Sequence, residues 1–515
     1  MSPQIAAAWA LLPDYLSQHV ILSASALALG VLLSLPLAVL AARHPRIRWP
    51  ILTLAGLIQT IPGLALLALF YPVLLALSGL TAELIGLTLP ALGFLPALLA
   101  LTLYSMLPIL RNGVTGLTGV DPDVREAADG VGMTPRQRLL RIEAPLAAPV
   151  IMAGVRTAAV WTIGAATLST PVGQTSLGNY IFSGLQTENW VFVLFGCAAA
   201  AGLALVTDQL LGLLERASAR RRPRLAILAG LLLALGVGAA AAPGILKTAA
   251  PGYVVGAKNF SEQYILAEVM SDRLTATGAR VQRRDGLGSA IAFRALEAGE
   301  VDVYVDYSGT LWTNVMGRKD IPPRDQLMAE LTRWMAEEKG VVVLGSLGFE
   351  NAYALAMDGR LARSLGIETL DDLTRQAPGL VIGGDLEFLS RPEWTAMESA
   401  YGLRFRAEKS FNPTFMYRAL ASGDADVISA FSSDGRIAAQ KLVVLGDPRG
   451  AVPSYDAVIL ISPRRAKDQR LRRALGPLVG AIPVERMREA NFMVDRDRDK
   501  RSPAEAARFL EQGLR

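Results

Sequence analysis

Between residues 20 and 245 the chain carries six long apolar runs, and that repetition restricts its fold more than any other feature. They lie near 20–42, 51–72, 90–110, 149–169, 190–214 and 225–245. Roughly twenty helical residues, at about 1.5 Å each, cross the ~30 Å hydrocarbon core of a bilayer. Buried helices of a large soluble protein would instead carry polar residues at a 3.6-residue period. The run Leu225–Ala242 carries none. The first half therefore reads as a six-span α-helical membrane domain. The remainder is of ordinary polarity, and 515 residues exceed a single core, so at least one further domain follows.

Charge divides the chain at the same place. Residues 1–249 hold 15 Lys/Arg against 10 Asp/Glu, a net of +5, whereas residues 250–515 hold 36 of each. A basic excess confined to the apolar half reports membrane topology and argues against nucleic-acid binding. Arg43, Arg46 and Arg48 follow the first run. Arg111, Arg125, Arg136, Arg138 and Arg141 separate the third from the fourth, and Arg216, Arg220, Arg221, Arg222 and Arg224 the fifth from the sixth. Residues 73–89 and 170–189 contain no Lys or Arg. The positive-inside rule places the basic loops in the cytoplasm, with the N-terminus and everything after the sixth run outside.

The sixth run has a second reading. The arginines at 220–224, the apolar stretch and Ala239-Ala240-Ala241-Ala242-Pro243 have the layout of a secretory signal. Its length suits a full span, and we read it as a retained anchor. The chain is thus partitioned into a membrane domain 1–215, an anchor and linker 216–249 and a binding domain 250–515, with 246–252 as the tether. One cysteine, Cys197, excludes an internal disulfide, and two histidines, His19 and His44, leave little for a zinc site. No cofactor or metal is expected. No Gly-Lys dipeptide occurs, so the chain has no loop of the kind that wraps ATP phosphates.

Between the third and fourth runs, Asp121 or Pro122 can open a short helix that Gly132 closes. Pro135 suits the first turn of a second helix through Ile142, with Pro145 as its stop. The pattern Glu126-Ala127-Ala128, Gly132, Ile142 and Pro145 resembles the coupling loop of binding-protein-dependent ABC importer permeases, with Ala144 where leucine is usual. Ile58–Pro62, Tyr104–Asn112 and Pro149–Thr157 are similar to permeases for glycine betaine, carnitine and choline. The resemblance implies that two copies of a separate cytoplasmic ABC ATPase dock on this loop. With one six-span half per chain, it also implies a homodimer around one pore, in contact with membrane lipid.

The second half alternates short apolar strands with helical stretches, the pattern of an α/β protein of two lobes. Strands are predicted near 253–257, 301–305, 341–344, 353–357, 380–383, 427–430 and 457–462, and helices near 262–275, 288–298, 324–338, 392–401, 413–422 and 466–477. Ligand groups in such folds collect at strand ends. Tyr307, Tyr353, Phe431 and Tyr455 all fall there, with no catalytic constellation beside them and no histidine in this half. Aromatic rings without catalysts point to capture, not chemistry. Trp312, Trp394 and Tyr304 are expected to be packing residues.

Four segments, Val255–Gln263, Gly299–Thr310, Gly348–Ala354 and Phe431–Ile437, resemble glycine betaine/choline-type substrate-binding proteins of the two-lobed periplasmic fold. By that resemblance Tyr307, Tyr353, Phe431 and Tyr455 form an aromatic cage for a quaternary ammonium, and Arg391 receives a carboxylate. Asn351, Thr310, Lys258 and Gln263 are implied as further contacts. A trimethylammonium group donates no strong hydrogen bond, so ring quadrupoles are its natural partners, each contributing about 0.5–2 kcal/mol. The expected function is that of the membrane component of an ATP-driven importer for a compatible solute of the glycine betaine type. Ergothioneine or choline as cargo, and a non-transporting solute sensor, are the alternatives. The expected location is the inner membrane, with the binding domain outside.

Overall fold

The computed structural model describes residues 3–86, 89–186, 189–220, 222–246, 252–411, 413–496 and 499–514. Arg221 of the third basic loop and all but the ends of the tether 246–252 lie outside these residues. The chain separates into two compact units, residues 1–182 with 191–249 and residues 183–190 with 250–515.

Among the described residues of the first unit, six helical segments are long and apolar enough to span a bilayer: 4–43, 63–85, 94–118, 135–172, 190–219 and 224–242. The second differs from the expected 51–72. The helix Pro45–Thr60 ends at Ile61, and a new helix begins at Gly63. Pro62, which cannot donate a backbone hydrogen bond, breaks the run, so the spanning helix continues to Ile85 through the stretch expected to be an outer loop. Small residues let these helices approach closely. A Cβ on Gly30 would collide with the Ser105 hydroxyl, and one on Gly154 would come within 2.7 Å of the Pro108 carbonyl.

The loop after the third of these helices folds largely as its sequence dictates. Asp121 caps the helix Pro122–Gly130 by accepting from the Asp123 amide, and Gly132 turns the chain at φ +79°. Thr134 and Gln137 form a reciprocal capping box ahead of Pro135. Pro145 does not stop the second helix. A π-turn spans Leu139–Glu143, the Ala144 amide reaches back to the Leu139 carbonyl, and helix continues to Ala166. The wider turn supplies the room that a proline ring otherwise takes from the carbonyl four residues back.

The second unit contains two five-stranded sheets. Its strands are β1 (Tyr253–Lys258), β2 (Val281–Leu287), β3 (Val303–Tyr307), β4 (Val342–Glu350), β5 (Tyr353–Asp358), β6 (Val381–Gly384), β7 (Ala407–Ser410), β8 (Val427–Phe431), β9 (Leu442–Val444) and β10 (Asp456–Ile461). The first sheet runs β2-β1-β3-β10-β4 and the second β7-β6-β8-β5-β9. In the first, β1 pairs in parallel with β2 and β3, while β10 is antiparallel to β3 and β4. The second mirrors it, with β6 parallel to β7 and β8, and β5 antiparallel to β8 and β9. Val255, Ile265, Val303 and Ile459 anchor the first core, which the C-terminal helices complete through Met487 and Leu510. Leu355, Ile382, Val427 and Trp394 anchor the second. Trp312, Trp394 and Tyr304 are all buried, as packing residues should be.

β2, β7 and β9, which the sequence patterning did not indicate, are all sheet edges. So is β4, which it did indicate. Between β4 and β5 the chain passes from the first sheet to the second through Asn351 and Ala352, and it returns between β9 and β10.

Candidate functional site

The pairing of β5 and β10 explains why rings at strand beginnings meet rings at strand ends. Both strands run against their neighbours, so Tyr353 at the start of β5 lies opposite Phe431 at the end of β8. Likewise Ala457, two residues after Tyr455, lies opposite Tyr307 at the end of β3. The rings gather accordingly. Tyr353 is 5.0 Å from Phe431 between centroids and 5.6 Å from Tyr455, the latter nearly perpendicular at 86°. Tyr307 joins them through Phe260, which lies 6.1 Å from it and stacks on Phe431 at 5.9 Å with a 5° tilt.

Phe260 was not singled out as a ring of the cluster, although it lies within the segment Val255–Gln263. Phe388, 5.3 Å from Tyr353, was also missed. Both follow parallel strands of their sheets, β1 and β6, where ligand groups were expected.

The polar residues divide into two networks. The first centres on Glu262, at the start of the helix Ser261–Ala276. Its carboxylate accepts from the Tyr307 hydroxyl at 2.6 Å, Asn351 Nδ2 at 3.0 Å, the Ser433 hydroxyl at 2.6 Å and Asn491 Nδ2 at 2.9 Å. Burial pushes its pKa above the ordinary range, against the pull of those four donors. Gln263 Nε2 donates to the Tyr307 hydroxyl at 3.0 Å, and its carbonyl accepts from the Lys258 amide. The Lys258 ammonium is paired with Asp306 and lies 5.2 Å from the Tyr307 ring centre. Lys258 and Gln263 thus support Tyr307 from behind, while Asn351 serves Glu262.

The second network centres on Arg391, which precedes the helix Pro392–Tyr401. Its Nη2 donates to the Thr310 hydroxyl at 3.1 Å, and its Cζ lies 5.0 Å from the Tyr353 ring centre. Its Nε and Nη2 also face Glu393, at 3.3 and 3.4 Å. Glu393 accepts in turn from the Thr313 hydroxyl at 2.9 Å and from the Tyr455 hydroxyl. Burial pushes the Glu393 pKa up. The Arg391 charge and the Tyr455 hydroxyl outweigh that, and its carboxyl sits below the ordinary range. Glu262 and Glu393 were both missed as site residues. The available signal was their adjacency, Glu262 within the segment Val255–Gln263 and Glu393 two residues after Arg391.

In the first unit the residues of the loop pattern stand in one short stretch. Glu126 and Ala127 are exposed, Ala128 is buried, Gly132 turns the chain, Ile142 lies in the π-turn, and Pro145 lies in the first turn of the helix that continues from it. Arg138 ties the two helices together, bonding Asp129 at 2.6 Å and Glu143 at 3.1 Å. Arg125 Nη2 satisfies the carbonyls of Thr118 and Val120 at the end of the preceding helix.

Two family descriptions match the two halves. Residues 252–512 match the substrate binding domain of ABC-type glycine betaine transport systems, and residues 34–220 match the binding-protein-dependent transport system inner membrane component. The chain belongs to this importer family, as a membrane permease fused to its own substrate-binding domain. It is 29% identical over 506 residues to the ergothioneine transport permease/ergothioneine binding protein of Helicobacter pylori, covering 94% of this chain and 87% of that one. Over 199 residues it is 40% identical to the choline transport system permease protein OpuBB of Bacillus subtilis, covering 39% of this chain and 84% of that one. A crystal structure of a glycine betaine/carnitine/choline ABC transporter matches 50% of this chain and 98% of its own, at 25% identity and a TM-score of 0.45. The protein is thus a multi-pass inner-membrane component of an ABC importer, a family whose members work with an ATPase and a small solute.

Proposed function

We propose that the α/β unit captures a quaternary-ammonium solute of the glycine betaine type outside the cell, and that a pair of these chains passes it inward. The aromatic cluster of Tyr353, Phe431, Tyr455, Phe260 and Tyr307 carries this reading, because convergent rings beside few free charges suit a cation that cannot hydrogen-bond. Arg391, over the Tyr353 ring, is the partner for a carboxylate where the solute has one. Two copies of a cytoplasmic ATPase dock on the loop 121–145. A second reading, with ergothioneine as cargo, draws on the likeness to the Helicobacter protein across both halves. Ergothioneine is itself a betaine, so the same rings serve it.

Calorimetry on the full chain in lipid nanodiscs tests the proposal with choline, glycine betaine, ergothioneine and the neutral carbon isostere of choline. At least one of the three quaternary-ammonium solutes should bind, and the isostere should bind at least about ten-fold more weakly. Tyr353→Ala should weaken the preferred cation by about ten-fold, and Tyr353→Phe by much less, since the ring face remains. Equal affinity for choline and its isostere would remove the cage.

A further inference from the structure

The guanidinium assigned to a ligand carboxylate already faces a carboxylate of the protein. Arg391 and Glu393 are 5% and 1% exposed, and both oxygens of Glu393 are turned to the Arg391 fork. Glu393 is fixed there by the Thr313 and Tyr455 hydroxyls, which belong to the part of the unit built around the first sheet. Arg391 in turn reaches Thr310 on the same side.

Two electrostatic consequences follow. A solute ammonium seated on the Tyr353 ring would sit beside the Arg391 guanidinium, which lies 5.0 Å from that ring's centre. Glu393 cancels the repulsion between them. A solute carboxylate brought to the same fork would place two carboxylates on one guanidinium in a buried site, where like charges repel strongly. We propose that Glu393 is a specificity-determining residue of the site, an internal counter-charge that favours quaternary-ammonium solutes lacking a carboxylate and handicaps betaines. A betaine carboxylate brought to Arg391 must share the guanidinium with Glu393 or displace it. The proposal rests on the aromatic-cage part of the reading above and departs from it on cargo, ranking choline ahead of glycine betaine and ergothioneine.

The test is the ratio of choline to glycine betaine affinity, measured by calorimetry on the full chain in nanodiscs. Glu393→Gln keeps size and, through its one carbonyl oxygen, can keep the Thr313 and Tyr455 hydrogen bonds, but removes the counter-charge and one acceptor for Arg391. It should tighten glycine betaine and weaken choline, each by about ten-fold, so the ratio moves by about a hundred-fold. Ergothioneine should move with glycine betaine. Thr313→Val, which removes one donor to Glu393, should move the ratio the same way by a few-fold and serves if Glu393→Gln does not fold. Equal changes for both solutes would mean that Glu393 only supports the fold, and would overturn the proposal while leaving the cage intact. Failure of the unaltered chain to bind any quaternary ammonium would instead remove the cage, and this proposal with it.

Discussion

At the scale of single residues, the α/β unit buries more charge than its solute needs. Asp495 ends the helix Val484–Asp495, accepts from the Ser261 hydroxyl at 2.5 Å and faces Arg436. Arg436, however, is held by Asp434 at 2.7 Å and stacks 4.0 Å from the centre of the Tyr417 ring. Burial therefore dominates, and the Asp495 pKa rises from 3.8 to about 6. A folded pKa above the unfolded one means the native state binds the proton more tightly. The contribution to stability thus grows as pH falls from above about 6 towards 3.8, and is flat outside that window. Asp495→Asn mimics the protonated form. At pH 8 it should stabilise the unit by about 3 kcal/mol, and most of the difference from the unaltered protein should be gone near pH 4. Thermal unfolding of both proteins across that range measures it, and a difference independent of pH would contradict it. Glu393 behaves oppositely. Its lowered pKa supplies stability that is present above the ordinary glutamate range and lost as pH falls through the folded value. Comparing variant with parent at each pH separates the two effects.

At the scale of elements, the second loop helix and the fourth span form one continuous segment. Because the π-turn at Leu139–Glu143 carries the helix through Pro145, the segment 135–172 is continuous from the loop into the membrane. Glu126→Lys or Gly132→Asp should abolish solute uptake in a complemented strain while leaving solute affinity unchanged, Gly132 because its φ of +79° strains any side chain. Normal uptake by both variants would reduce the loop to a connector. These loop helices were readable because caps and prolines are local signals, whereas the π-turn depends on packing around Pro145. The same distinction separates the strands. β1, β3, β8 and β10 are wholly or largely buried and read as apolar runs. β2 and β7 are edges whose Arg283, Arg284, Asp285, Glu408 and Lys409 discourage further pairing, so they read as loops. β9 spans only three residues. In the site, Tyr307, Tyr353, Phe431, Tyr455 and Arg391 came from likeness to a family. Glu393 escaped notice because its importance lies in facing Thr313 and Tyr455, which are distant in sequence.

At the scale of the whole molecule, the proposed orientation makes a direct prediction. In a chain with Cys197 replaced by alanine, cysteines at Glu83 and Lys319, both exposed, should react with a membrane-impermeant reagent applied from outside. A cysteine at Arg136, equally exposed, should be shielded until the membrane is opened. The reverse pattern would turn the protein over and end the importer orientation. The sheet order also bears on how the molecule is made. The second sheet is built from one uninterrupted stretch, β5 to β9, and can close as soon as that stretch emerges. The first sheet cannot, because β10, made after all the others, belongs between β3 and β4. During biosynthesis those two strands must wait with unpaired edges until the entire second lobe has been made, and over that interval the nascent chain is exposed to mispairing and proteolysis.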